Sequence, residues 1–257
     1  MRLSRTCALM VAVLAVAACD SGGTATPATL PTTSAAPATS TPATTATTAA
    51  TTSTVMADTT TVPATTVPGT IGLSEGGPWT LVDSAPGITT PGLVYELMPK
   101  LWVYLPIQED IANGITWTFN EEDRPIIEAY LQARLVFYSA ISSRPMDFTS
   151  SGWTDWYVDG GDRLRAVFEP KGDAGQVADM TEGVVLRPQV AGDNRTDTTA
   201  LILDCNLDGA VIRNADGSVA EGSTPGVIVS GVAATMRLVA GSWKLERISG
   251  EVDGVCG

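Results

Sequence analysis

The segment NEEDRPIIEAYLQARLVFYSAI, residues 120–141, decides the architecture. Asn120 is a good N-cap, and Glu121, Glu122 and Asp123 place negative charge where the dipole of a first turn favours it, so a helix is expected over 121–141. Pro125 falls early enough to be tolerated. Apolar residues then lie on two adjoining stripes: Ile126, Tyr130, Ala133, Phe137 and Ile141 beside Ile127, Leu131, Leu135 and Tyr138. That is too wide for a one-sided surface helix. Such a helix needs cover on two sides, by a sheet and by a second element, for which the apolar segment Leu93 to Phe119 is the candidate.

Downstream of the helix the Arg144-Pro145 pair breaks the pattern, and a short helix or loop carries Trp153, Trp156, Tyr157, Leu164, Val167 and Phe168 toward Pro170. From Gly183 the chain alternates as sheet. Strands are expected at Val184 to Val190, Thr198 to Cys205, Ala210 to Arg213, Val227 to Val239 and Trp243 to Ile248. Asp208-Gly209, Asp216-Gly217 and Ala240-Gly241 mark turns, and Gly231 inside the long strand points to a bulge or bend. Upstream, Leu101 to Leu105 and Ile115 to Phe119 form a hairpin about Asn113-Gly114, with Pro99 and Pro106 restricting the first strand to an edge or a short piece. Helices first and an antiparallel meander after them make the class α+β.

The other end of the chain speaks of location. Arg2 and Arg5 precede an apolar run from Cys7 to Ala18, and Val16-Ala17-Ala18 leads directly into Cys19. A basic n-region, a short apolar h-region and small residues make a leader, residues 1–18. The run is shorter than the ~20 residues of a membrane-spanning helix. A cysteine in this position resembles the lipobox of bacterial lipoproteins. The resemblance implies cleavage before Cys19 by signal peptidase II, lipidation of its thiol, and attachment of the protein to the outside of the cell membrane through that lipid alone. From 19 to 70 the chain is almost all Thr, Ala, Pro, Ser and Gly, with too little apolar surface to offset ordering entropy, and reads as a disordered linker. Residues 71–119 are expected to be an extension packing on the main domain, 120–257.

Charge and cysteines bound the function. The chain has 15 Lys and Arg against 28 Asp and Glu and no histidine. Loss of the leader with Arg2 and Arg5 makes the rest more acidic still. Nucleic acid and anionic lipid headgroups repel such a domain. Outside the cytoplasm, Cys205 and Cys256 are expected to form one disulfide. A mixed Cys/His zinc site cannot form without histidine, and neither can a serine–histidine triad. Asp204-Cys205-Asn206-Leu207-Asp208-Gly209 matches the first half of a calcium loop, but position twelve is Ala215 where a bidentate Glu is wanted. Strand end plus turn is the preferred reading, with no metal and no cofactor.

A long helix, a short helical region and then long antiparallel strands is similar to the NTF2-like, or SnoaL-like, cone. Thr235-Met236-Arg237-Leu238-Val239-Ala240-Gly241-Ser242-Trp243-Lys244-Leu245 resembles its last hairpin, with a Gly-x-Trp turn, and Asp204-Cys205 with a cysteine two residues from the end is similar to secreted actinobacterial lipoproteins carrying this cone. The resemblance covers 120–257 and implies a long helix packed on a curved antiparallel sheet. The family hosts isomerases, dehydratases, ligand binders and inactive interaction domains, so fold does not choose function.

Within that frame Trp153-Thr154-Asp155-Trp156-Tyr157 is a dense aromatic cluster beside an acid. Its rings either cap the cone as core or contact a sugar-like or planar ligand. Tyr130, Trp153, Asp155, Trp156 and Tyr157 are the candidate ligand contacts, and no residue is assigned a catalytic role. The preferred expectation is a non-enzymatic, lipid-anchored domain that binds an envelope protein or a small apolar ligand. The alternative is a cone enzyme of the isomerase or dehydratase type: Tyr130, Tyr138, Asp155, Tyr157 and Asp204 could supply its carboxylate or phenol, with Asp155 or a tyrosine such as Tyr130 as the acid–base group.

Overall fold

The central helix, Arg124–Ser142 (α1), begins three residues later than the acidic run proposes. In the computed structural model, which describes residues 70–113 and 115–256, Asn120 Oδ1 accepts the Asp123 N–H at 2.9 Å and closes a turn ahead of the helix. The helical ladder opens when the N–H groups of Ile126 and Ile127 both donate to Asp123 O at 3.0 Å. The acids are used by cations instead of by the first turn. Glu121 pairs with Arg124 at 2.7 Å and Asp123 with Arg195 at 2.6 Å. At the other end Ser142 and Ser143 hydroxyls donate back to Tyr138 O and Ser139 O, and the helix stops before Arg144-Pro145.

The sheet that covers α1 begins upstream of it. Thr80–Val82 (β1), Gly92–Met98 (β2) and Leu101–Pro106 (β3) pair antiparallel in sequence order. Here the expected hairpin fails. Leu101 to Leu105 pairs with β2 on one side and, in parallel, with Val184–Leu186 on the other, so it is an interior strand. Pro99 and Pro106 do not prevent this: Pro99 precedes the strand, and Pro106 is its last residue, opposite Gly92 of β2 and beyond the three residues that pair with β5. Residues 116–119 form no strand; Phe119 N–H donates to Pro106 O at 3.0 Å. Gly114 of the expected turn lies outside the described residues, and on either side of it Asp110 and Ile115 exchange two backbone hydrogen bonds at 2.9 Å.

After α1 come two more helices, Gly152–Trp156 (α2) and Asp162–Asp173 (α3). They supply the second cover of α1. Phe168 meets Phe137 edge-on at 5.0 Å, and the Tyr157 hydroxyl donates to Ala133 O at 2.7 Å. The first half of the segment Leu93 to Phe119, as far as Pro106, belongs instead to the sheet. Val177–Asp179 (β4), unforeseen in the sequence, pairs with a later strand as a separate two-stranded sheet.

The single strand expected at Val184 to Val190 is divided into Val184–Leu186 (β5) and Pro188–Val190 (β6). Both lie in one register on Thr199–Asp208 (β7). Two donors are missing from the ladder at the break: Pro188 has none, and the Arg187 N–H turns to the Asp204 carboxylate at 2.6 Å. Val211–Arg213 (β8) pairs with β4. Ile228–Val239 (β9) runs antiparallel to all of β7, and Ser242–Ser249 (β10) returns along β9. The order is β1-β2-β3-β5-β7-β9-β10, antiparallel except at β3–β5. The molecule is α+β with a mostly antiparallel sheet. The main core lies between that sheet and the helices, and a smaller cluster about Val94, Tyr104 and Val185 lies on the sheet's other face.

Ala240 and Gly241 take φ of 50° and 84°, the left-handed pair that a tight β9–β10 hairpin requires. Gly231 makes no bulge: β9 stays in register with β7 through Cys205 and Gly231, and the irregularity lies in β10 between Leu245 and Arg247. Gly231 serves close approach. The C-terminal tail packs on it, Val252 N–H donates to Gly231 O at 2.9 Å, and Cys256 is disulfide-bonded to Cys205 with their Cα atoms 5.1 Å apart. A Cβ at Gly231 would lie 2.3 Å from Val252 O. Gly231→Ala is therefore expected to displace the tail and cost about 1–3 kcal/mol in chemical denaturation. Gly250→Ala, where a Cβ meets nothing within 4 Å, should stay within about 0.5 kcal/mol of the parent. Equal stability of the two variants would contradict the role given to Gly231.

Candidate functional site

Strand β7 has two faces. Ala200, Ile202, Asp204 and Asn206 point inward and are buried, while Cys205 between them points outward to the disulfide. Asp204 and Asn206 are polar groups at core positions, and Arg134 is their counterpart at the centre of α1. Tyr130, Arg134 and Tyr138 follow one another at intervals of four and so share a helix face. Tyr130 and Asp204 are 0 % exposed and Arg134 is 5 % exposed.

The carboxylate of Asp204 collects donors from three elements. Tyr130 Oη donates to Oδ2 at 2.7 Å and the Arg187 backbone N–H to Oδ1 at 2.6 Å. The Asn206 amide, assigned by the acceptors around it, directs Nδ2 at both oxygens, at 2.6 and 2.7 Å. Arg134 donates to Tyr138 Oη at 2.9 Å, and its guanidinium stands 4.9 Å from the Tyr138 ring, 5.4 Å from Phe137 and 5.9 Å from Tyr130. Its Nε has no hydrogen-bond partner among the described residues. The result is a buried cation in an aromatic cage beside a buried, fully hydrogen-bonded carboxylate.

Burial raises the Asp204 pKa above its ordinary value, against the opposing pull of Arg134, Tyr130 and Arg187. Burial raises Asp208 likewise. Tyr130 is held well above the usual phenol range by burial and by the adjacent Asp204 charge. Burial also raises Tyr138 and Tyr157. For Arg134, burial disfavours the charge, but Tyr138, Tyr130 and Asp204 more than compensate and keep it protonated.

The five residues singled out in the sequence are not brought together. Tyr130 lies in the interior network. Trp153 and Tyr157 are buried and stack at 4.8 Å, with Phe148 5.8 Å from Trp153. Trp156 is half-buried against the core, and Asp155 is exposed on α2. Near this corner a cleft of about 400 Å³ opens between residues 157–167 and β10, with Tyr157, Leu164, Val167 and Leu245 on its apolar part and Arg163 and Arg247 among its polar residues. Of the five, Tyr157 alone lines it. The calcium-like stretch Asp204 to Asp208 lies in β7, with Asp204 committed to Tyr130 and Asn206 and the Asp208 carboxylate accepting from Ala210 N–H at 2.9 Å.

Arg134 and Asn206 are the site residues that sequence reasoning missed. Two signals were available: an arginine between the apolar stripes, four residues from a tyrosine on each side, and polar residues on the inward alternation of a strand. No protein-family model matches this chain, and a search of curated proteins gives no match.

Arg134 and Asp204 share no direct bond, but the Arg134 charge favours the buried Asp204 carboxylate, so removing it leaves that carboxylate less compensated. Arg134→Met is expected to cost about 3–5 kcal/mol at neutral pH. Asp204 already has a folded pKa raised above its ordinary 3.8, so this group weakens the fold as pH rises from there through the folded value. Taking away Arg134 raises that folded value further and extends the loss. The Arg134→Met penalty should therefore be smaller near pH 4 than near pH 7, by denaturant titration at both (pH values approximate, from linkage). A penalty independent of pH would show that Arg134 acts by packing alone.

Proposed function

We propose that this chain is a lipid-anchored, extracytoplasmic and non-enzymatic domain on an NTF2-like cone, binding an envelope protein or a small apolar ligand. The observation that carries this is the closure of the interior. Of the groups a cone enzyme of the isomerase or dehydratase type could use, Asp155 stands exposed on α2, and Tyr130 and Asp204 are bonded to each other at 2.7 Å and shut from solvent. A substrate reaching them would have to displace α1 from the sheet, at the expense of the main core.

Further support comes from the two ends of the domain. The disulfide between Cys205 and Cys256 fits an oxidising compartment. Among the described residues no helix is long and apolar enough to cross a membrane. Cys19 and its leader, together with the Thr/Ala/Pro/Ser-rich linker up to Gly69, lie outside the described residues. The cone reading draws on α1 packed on a mostly antiparallel sheet and on the Ala240-Gly241 hairpin, followed by Trp243, that ends it. Recognition then belongs to the outer surface, since the inside is occupied by side chains.

Metabolic labelling with palmitate in a bacterial host tests the placement. The full chain should incorporate label, and Cys19→Ala should abolish incorporation. A labelled Cys19→Ala protein, or an unlabelled parent, would overturn the anchor.

A further inference from the structure

The outward face of β7 carries a groove that neither the interior network nor the α2 corner uses. Its volume is about 540 Å³. Leu203 and Cys205 of β7 form part of its floor, with Tyr104 of β3 and Arg187 between β5 and β6. Its walls come from residues 87–90, from Trp117, and from the tail residues 254–256 that the disulfide holds in place.

Arg187 is the one charged side chain among the residues lining this groove. Its Nε donates to Cys205 O and one amino group lies 2.9 Å from Cys205 Sγ. Those contacts orient the guanidinium without neutralising it. No acid among the described residues pairs with it within ion-pair distance, although the chain as a whole is strongly acidic. A half-buried guanidinium with an unused amino group is incompletely solvated and incompletely paired, a state that an incoming carboxylate improves. The surrounding surface is apolar and aromatic: Ile88, Pro106, Ile115, Trp117 and Val255. A second negative charge would find no second cation in the groove and would meet the field of the acidic domain.

We propose that this groove binds a small apolar monocarboxylate, its carboxylate on Arg187 and its apolar body against Trp117 and Ile115. The inference rests on the reading of the domain as a ligand binder and narrows the ligand to an organic acid. Threonines 89, 90 and 116 and Gln189 place neutral hydrogen-bonding groups on the groove lining.

The test is calorimetric titration of the full chain, disulfide intact, with benzoate and hexanoate and with their neutral counterparts benzamide and hexanamide. At least one acid should bind saturably, one per chain, with its amide weaker by about tenfold or more, as loss of a charge-assisted bond requires. Arg187→Gln should remove the preference for acid over amide. Trp117→Ala should weaken acid and amide together. If Arg187→Gln does not fold, the acid–amide comparison on the parent decides alone. Equal binding of acid and amide, or no saturable binding of either acid, overturns the proposal. Palmitate labelling at Cys19 is unaffected by either result, so failure here is distinguishable from failure of the anchored-domain reading.

Discussion

A cation buried at the middle of α1 constrains everything around it. Arg134 cannot reach water, and a lone buried charge would be expelled or would neutralise. It is retained because Tyr138 accepts its hydrogen bond, three aromatic rings face it, and the Asp204 charge lies near enough to hold it protonated. Asp204 in turn needs Tyr130, Asn206 and the backbone of Arg187. Helix α1, strand β7 and the β5–β6 junction are thereby fixed to one another by directional bonds. Apolar contacts alone would tolerate sliding of the helix along the sheet; these bonds admit one placement.

The same arrangement separates the two faces of β7. Inward residues seal the core, so the phenol and carboxylate best placed for acid–base chemistry are consumed by structure. Outward residues, one step out of phase, carry the disulfide and meet Arg187. Arg187 belongs to both sides: its N–H serves Asp204 inside and its guanidinium serves Cys205 outside. The break between β5 and β6 is the local consequence.

Much of the architecture was legible where local chemistry decides it. The two stripes of α1 predicted burial on two sides, and all of those residues are buried except half-buried Leu135. The Ala240-Gly241 turn and the Cys205–Cys256 pair were readable because turns and thiols carry their own signatures. The failures are long-range. Nothing near Leu101 announces a parallel partner some eighty residues later (Val184). Nothing near Gly231 announces a tail arriving from Val252. At the site, hydrophobic periodicity treats Arg134 as a gap between stripes, although its spacing from Tyr130 and Tyr138 marks it as part of them. Asp204 was visible as a member of a failed calcium loop and as one possible carboxylate among several, with nothing to join it to Tyr130 or Asn206. The aromatic cluster at 153–157 was seen, but a run of rings does not tell which face each presents; Trp153 and Tyr157 turned inward and Asp155 outward.

Alkaline titration of the phenols, followed by ultraviolet difference absorbance alongside far-ultraviolet circular dichroism, tests the closed interior most directly. Of the five tyrosines, burial raises Tyr95 as well as the three of the interior, Tyr130, Tyr138 and Tyr157, above the ordinary 10.0. A sealed network predicts that the three interior tyrosines ionise only in the step in which secondary structure is lost. Reversible ionisation of those three near the ordinary value, with the dichroism unchanged, would mean that water reaches the network and that the interior is open.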